Sequence, residues 1–247
     1  MKYSNFASYS DIDTHNNGRH RRSIAIIEGI NLIIHQKLPL KMLEVNNLSC
    51  KRGHRILWQD ISFHLQAGQC LRINGANGAG KSTLLRVIAG LTSAQSGEVR
   101  WQGQILSYDR EAFHMQIRYL GHTVALKDDL NALENLLFLS QLVGQKVSQQ
   151  DVLEALAYWN MEKLAYLPVG SMSQGQRQRV ALSRLSIGQA AAMWILDEPW
   201  NSLDTVGVSQ LNERLDQYIL AGGIAIITSH QEVNLQGSSK FLQEITV

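Results

Sequence analysis

The sequence has no apolar run near the ~18 residues that carry a helix across a bilayer, so no transmembrane helix is expected. Cysteine is scarce. Cys50 and Cys70 are the only two, too few for a disulfide framework and without the paired spacing of a metal site. Reduced thiols are expected. Strong charge is missing too. The formal net charge is +2, and no basic stripe marks a nucleic-acid surface, so nucleic acid is not an expected partner. No internal repeat is visible. What is present is a chain of 247 residues, 45% hydrophobic and 18% charged. That suits a sizeable core in one large domain or two small ones.

The small charge is unevenly spread. Residues 1–41 carry six Lys/Arg against three Asp/Glu, which leaves −1 for the remainder. "YSNFASYSDIDTHNNGRHRR" is polar and aperiodic. The apolar "SIAIIEGINLII" is short and interrupted by Glu28 and Asn31. Basic residues before a short apolar run resemble a signal peptide, but no small-residue cleavage site follows. Residues 1–41 are therefore expected to be a disordered or non-native extension. The folded domain is expected at 42–247, with Met42 as the native start.

From Met42 to about Gln104 the runs "LEVNNL", "ISFHL", "CLRIN" and "GEVRWQGQI" alternate with turn residues, as strands do. Residues 121–170 change character. "NALENLLFLSQLV" opens with Asn131 and has Glu134 three residues on, a capping-box start. Leu133, Leu136 and Leu137 share one helical face. Ser148 and Asp151 repeat the device, and Val152, Leu153, Leu156 and Trp159 line the next apolar face. Further on, "AAMWILDEP" and "GGIAIITSH" read as buried strands with the helix "VSQLNERLDQYIL" between them. That alternation implies parallel pairing. The expected fold is α/β, with an antiparallel β portion near the start and a helical insert, its subdomain spanning about 121–185.

"GANGAGKST" fits G-x-x-x-x-G-K-[ST] at Gly75, Gly80, Lys81 and Ser82. A strand-like run precedes it and a helix-like run follows, as a P-loop NTPase requires. Backbone N–H groups of Gly75, Ala76, Asn77, Gly78, Ala79 and Gly80 can turn toward phosphate oxygens. The helix start at Lys81–Thr83 adds roughly half a positive charge. Lys81 would reach the β- and γ-phosphates of ATP, and Ser82 would ligate Mg²⁺. The motif identifies a nucleotide site but not the reaction.

"MWILDEP" supplies the acids. Its apolar residues deliver Asp197 and Glu198 to the carboxyl end of a buried parallel strand, where ligands bind in open α/β sheets. Adjacent residues on a strand point to opposite sides, so the two acids are expected to differ in role. Asp197 suits the Mg²⁺ shell, and Glu198 suits a base that polarises the attacking water.

"SMSQGQRQRVALSRL" pairs Ser173 with Gln176 as a capping box, and Gly175 opens the turn. A polar helix start of this kind is a second anion site. The segment resembles the LSGGQ signature of the ATP-binding cassette (ABC) ATPases, departing at Met172 and Gln174. In order after it come "NSLD", similar to the D-loop with Asp204, and "TSHQ", similar to the switch-histidine strand end with His230. The resemblance covers about 190 residues. It implies a head-to-tail dimer in which Ser173, Gln174, Gly175 and Gln176 of one copy face the ATP of the other, with His230, Lys81 and Glu198 catalytic.

From Met42 onward the chain is similar to the CcmA family of ATPase subunits, which serve the cytochrome c maturation haem exporter. The likeness includes "NGANGAGKSTLLR", "GEVRWQG", "LGH", "LKDDLNALENL", "GQRQRVALSRL" and "WILDEPW", of which "LGH", with the short length, is the more discriminating. It implies an ATPase on the cytoplasmic face of the bacterial inner membrane, peripheral to a CcmB-like membrane subunit and a CcmC-like haem-handling protein. ATP hydrolysis would be coupled to haem export or to release of a haem-loaded chaperone. An ATPase subunit of another small exporter would share all of this chemistry. Three positions depart from the wider pattern. Arg52 stands where an aromatic usually stacks on adenine, and a guanidinium plane can stack there too. His122 stands at the coupling loop where glutamine is usual, and Gln116 is too early to replace it. Trp200 follows Pro199 where a smaller residue is frequent. Mass spectrometry of the natural protein is expected to find no peptides from residues 1–41.

Overall fold

The computed structural model describes residues 42–229, 233 and 235–247. The extension expected at 1–41, and His230 with Gln231, lie outside the described residues. The chain runs through β1 (Met42–Arg52), β2 (Arg55–Gln66), β3 (Cys70–Asn74), α1 (Lys81–Ile88), β4 (Ser96–Trp101), β5 (Gln104–Ile105), α2 (Arg110–Gln116) and β6 (Ile117–Leu120). It continues through α3 (Ala132–Leu142), α4 (Gln149–Tyr158), α5 (Gln174–Ser183), β7 (Met193–Asp197), α6 (Thr205–Leu220), β8 (Ile224–Thr228) and β9 (Leu242–Thr246).

The strands form two sheets. One is antiparallel, in the order β2-β1-β4-β5; the other is parallel, in the order β6-β7-β8-β3-β9. β3 therefore leaves the strand-rich N-terminal stretch and joins the parallel sheet. β7 and β8 are buried at every residue, which explains their unbroken apolar runs. Met193 and Ile195 point into one core with α1, β1 and β4, while Trp194 and Leu196 point into a second core with α3–α6. Each fully buried Leu or Ile contributes about 1.5–3 kcal/mol. Trp194 stacks flat on Tyr218 with ring centres 3.7 Å apart. Burial pushes the Tyr218 phenol well above its ordinary range.

The helical insert follows the sequence pattern closely. Asn131 and Ser148 each cap their helix with reciprocal hydrogen bonds to Glu134 and Asp151. Leu133, Leu136, Val152, Leu156 and Trp159 are buried, while Leu137 and Leu153 are half-buried beside them. Three elements were not visible in the pattern: α2, β6 and β9. Arg118 and Tyr119 break the apolar look of β6, and β9 is a short edge strand with no fully buried residue. Both cysteines are free and buried, and burial raises the Cys70 thiol to about 12. Neither is the exposed, electropositive kind that makes a reactive thiolate.

Asn135 carries no sequence signal of its own, yet it organises the approach to the insert. It is 1% exposed. Its Oδ1 accepts from the Lys127 N–H at 2.8 Å, and its Nδ2 donates within 3.0–3.1 Å of the Lys127, Leu130 and Asn131 carbonyls. Asn135→Ala strands those buried backbone groups and is expected to lower the unfolding free energy by about 2–3 kcal/mol, measured by urea denaturation.

Candidate functional site

The phosphate-type loop spans the end of β3 and the start of α1. Lys81 is the first residue of α1 and 6% exposed. Its Nζ donates to the Gly75 carbonyl at 2.8 Å and the Ala76 carbonyl at 3.3 Å, so the ammonium sits inside the loop's curl. Ser82 and Thr83 follow in the first helical turn. No side chain caps α1, which leaves its first N–H groups for a ligand. Gly80 has φ +106, and a Cβ there would lie 2.9 Å from Trp58 Nε1. Trp58 also donates to the Gly80 carbonyl at 3.4 Å. This tryptophan of β2 is the residue that braces the loop from the antiparallel sheet, and no sequence signal identified it. Arg52 lies exposed at the β1–β2 turn, opposite Arg55.

Asp197 ends β7 and is 4% exposed. Its Oδ1 accepts from the Thr228 hydroxyl at 2.8 Å, and its Oδ2 is buried with no hydrogen-bond partner. A buried, half-bonded carboxylate fits a divalent cation as its missing partner. Glu198 corrects one expectation. The two acids do not diverge by strand pleating, because β7 stops at Asp197 and Glu198 turns left-handed with φ +51. Its N–H donates to Thr228 Oγ1 at 2.8 Å, and its Oε2 accepts from Asn201 Nδ2 at 2.6 Å. A non-glycine residue held at positive φ is costly, and such strain concentrates at functional sites. Thus two neighbouring acids differ in setting through a backbone turn that periodicity does not encode.

α5 begins as its sequence indicates. Ser173 Oγ accepts from the Gln176 N–H at 3.3 Å, and Gln176 Oε1 accepts from the Ser173 N–H at 2.9 Å. Ser173 and Gln174 are exposed. A Cβ on Gly175 would lie 2.7 Å from the Ser202 carbonyl, so glycine lets the helix start press against the 201–204 turn. Arg179 of α5 reaches Asp204 Oδ1 at 2.5 Å, and that same oxygen caps α6 through the Gly207 N–H at 2.8 Å. The Gly207 N–H first, and Arg179 second, hold the Asp204 carboxyl below its usual range. Trp200 is a core residue here. It is 5% exposed and donates to Asn212 Oδ1 at 2.9 Å, which ties the turn to α6.

His122 stands exposed in the loop after β6. It lines two cavities. One, about 440 Å³, includes Asp197, Tyr119 and Arg86; the other, about 750 Å³, includes Glu198, Gln174, Arg177 and Asn201. The loop is also stitched to α5 and the turn before it, since the Asp128 carboxylate pairs with Arg177 at 3.0 Å and the Asp128 backbone carbonyl accepts from the Gly170 N–H at 2.9 Å. Gln116 is occupied elsewhere, accepting from Trp101 Nε1 at 3.0 Å. Among the described residues no His/Cys/Asp/Glu cluster could hold a metal ion by itself.

Comparison with known proteins matches this arrangement. The family model described as ABC transporter matches residues 58–201. A cytochrome c biogenesis ATP-binding export protein CcmA from Aromatoleum aromaticum is 42% identical over 191 residues, covering 77% of this chain and 89% of that protein. The protein of the same name from Escherichia coli K12 is 43% identical over 197 residues, covering 80% and 93%. A solved ATP-binding cassette, in a dimeric post-hydrolysis state bound to ADP and Pi, superposes with a TM-score of 0.69 at 21% identity, covering 82% of this chain and 94% of that one. The chain belongs to the ABC transporter ATP-binding subunits, within their CcmA-type cytochrome c biogenesis branch, and is an ATP-hydrolysing transporter ATPase.

Proposed function

We propose that residues 42–247 form the ATPase that drives a membrane complex of cytochrome c biogenesis, with Glu198 as the general base. The observation that carries this reading is the corner after β7. There a buried carboxylate with one free oxygen sits beside a strained glutamate tied to Thr228 and Asn201. β3, which feeds the phosphate loop, lies two strands away in the same parallel sheet.

In this reading Gly75–Thr83 wrap the phosphates of ATP, and Lys81 leaves the Gly75 and Ala76 carbonyls for the β- and γ-phosphates. Ser82 and Asp197 would hold Mg²⁺, which supplies charge neutralisation at the β- and γ-phosphate oxygens. Glu198 accepts the proton of a water whose oxygen attacks the γ-phosphorus while the bond to the ADP oxygen breaks. His230 belongs to the same step as a transition-state contact. Arg52 would stack on the base.

A second copy of the chain completes the site. Ser173, Gln174, Gly175 and Gln176 would face the γ-phosphate held by the partner copy, with Asp204 at the junction. The exposure of Ser173 and Gln174, and the dimeric state of the solved cassette, favour this. His122 would relay nucleotide state to the membrane partners, since it lines both the cavity that includes Asp197 and the one that includes Glu198. A CcmB-like membrane subunit and a CcmC-like haem-handling protein are the partners we assign. No described helix is long and apolar enough to cross a membrane, which suits a peripheral subunit on the cytoplasmic face. The coupled event is haem export or release of the haem-loaded chaperone.

Glu198→Gln is expected to retain ATP binding while slowing turnover about 10²–10⁴-fold, read by nucleotide titration and phosphate release. Wild-type turnover would remove Glu198 from the base role. Gly175→Ala drives a methyl into the Ser202 carbonyl. It is expected to cut turnover at least about tenfold while leaving ATP affinity of the isolated subunit intact. Steady-state kinetics and equilibrium binding separate the two effects.

A further inference from the structure

Thr228 ends β8 directly across from Asp197 in the parallel register, and it is fully buried. Its single hydroxyl meets two groups at 2.8 Å, the Glu198 N–H and Asp197 Oδ1. The proton assignment follows from chemistry. An amide N–H can only donate, so Thr228 Oγ1 accepts from it. An ionised carboxylate can only accept, so the hydroxyl proton points at Asp197. One side chain thus locks both acids, each through a different lone pair or proton.

The lock has two consequences. Asp197 Oδ1 is occupied, so the carboxylate presents Oδ2, the oxygen with no protein partner, in one fixed direction. Glu198 is held in its left-handed turn by the amide bond on one side, while Asn201 holds its carboxylate from the other. A β-branched residue in a strand has few side-chain rotamers, so the hydroxyl direction is stiff.

We infer that Thr228 is a positioning residue of this ATPase: its hydroxyl aims Asp197 at the cation and pins the backbone of Glu198. The inference rests on the proposed roles of Asp197 and Glu198 and adds the residue that sets their geometry. Outer-shell partners of this kind change metal affinity or activity by about 10–100-fold when removed.

The test compares Thr228→Val, Thr228→Ala and Thr228→Ser in the full chain. Mn²⁺ is the probe, titrated by electron paramagnetic resonance in the presence of a non-hydrolysable ATP analogue, alongside steady-state ATPase assays. Val keeps the shape and removes the hydroxyl. It is expected to weaken Mn²⁺ binding and lower kcat, each about 10–100-fold, with KM for ATP changed by less than about threefold. Ser keeps the hydroxyl and is expected to restore both readouts. Wild-type Mn²⁺ affinity and kcat in Val would overturn the inference. So would a Ser variant as impaired as Val, which would mean that packing alone matters. Should Val not fold, Ala removes the same hydroxyl with a smaller side chain and is scored by the same criteria. Failure of both to fold beside a folded Ser variant would make the hydroxyl a requirement of the fold and end the inference. The Mn²⁺ measurement reports on Asp197, so it stands apart from whether Glu198→Gln supports or removes the base assignment.

Discussion

The structure depends on burying β7 and β8 on both faces. A parallel strand covered from two sides must be apolar along its length, and its residues alternate between two cores. Met193 and Ile195 bind the parallel sheet to the antiparallel one, while Trp194 and Leu196 bind it to the helices. The apolar run ends at Leu196, and Asp197 follows it still buried, with Glu198 half-buried beyond. The acids stand at that edge of the apolar run, so the hydrophobic constraint also places them.

Around that edge the chain uses backbone strain and paired charges to hold loops that carry no core of their own. Glu198 turns left-handed, and Ser202 does the same four residues later. Arg179 and Asp204 tie α5 to α6, and Asp128 and Arg177 tie the His122 loop to α5. Both ion pairs are partly exposed, so each contributes little to stability. Their effect is geometric, because they join two loops, the one that carries His122 and the 201–204 turn, to a single helix. Trp58 has the same effect on the phosphate loop from the other sheet.

The legible parts of the sequence were those with local chemistry. Capping boxes at Asn131, Ser148 and Ser173 formed as their spacing indicated, because each involves groups three residues apart. The strand, glycine-rich turn and helix around residues 70–88 and the apolar runs of β7 and β8 were equally clear. Asn135, Trp58 and Thr228 were not. A buried asparagine in a leucine-rich helix, a tryptophan in a strand and a threonine at a strand end carry no signal until their partners are known. Trp200 shows the same limit, since its reason is an Asn212 twelve residues away on another element.

By itself, the sequence determined which strands would be buried and where helices would start. These follow from local spacing and hydrophobic period. Only the tertiary structure decided how Asp197 and Glu198 differ. That difference arises from a positive φ and from a hydroxyl 31 residues away, brought alongside by parallel pairing of β7 with β8. Hydrogen bonds between neighbouring strands have no sequence period, so the register that aligns Asp197 with Thr228 exists only once the sheet has formed.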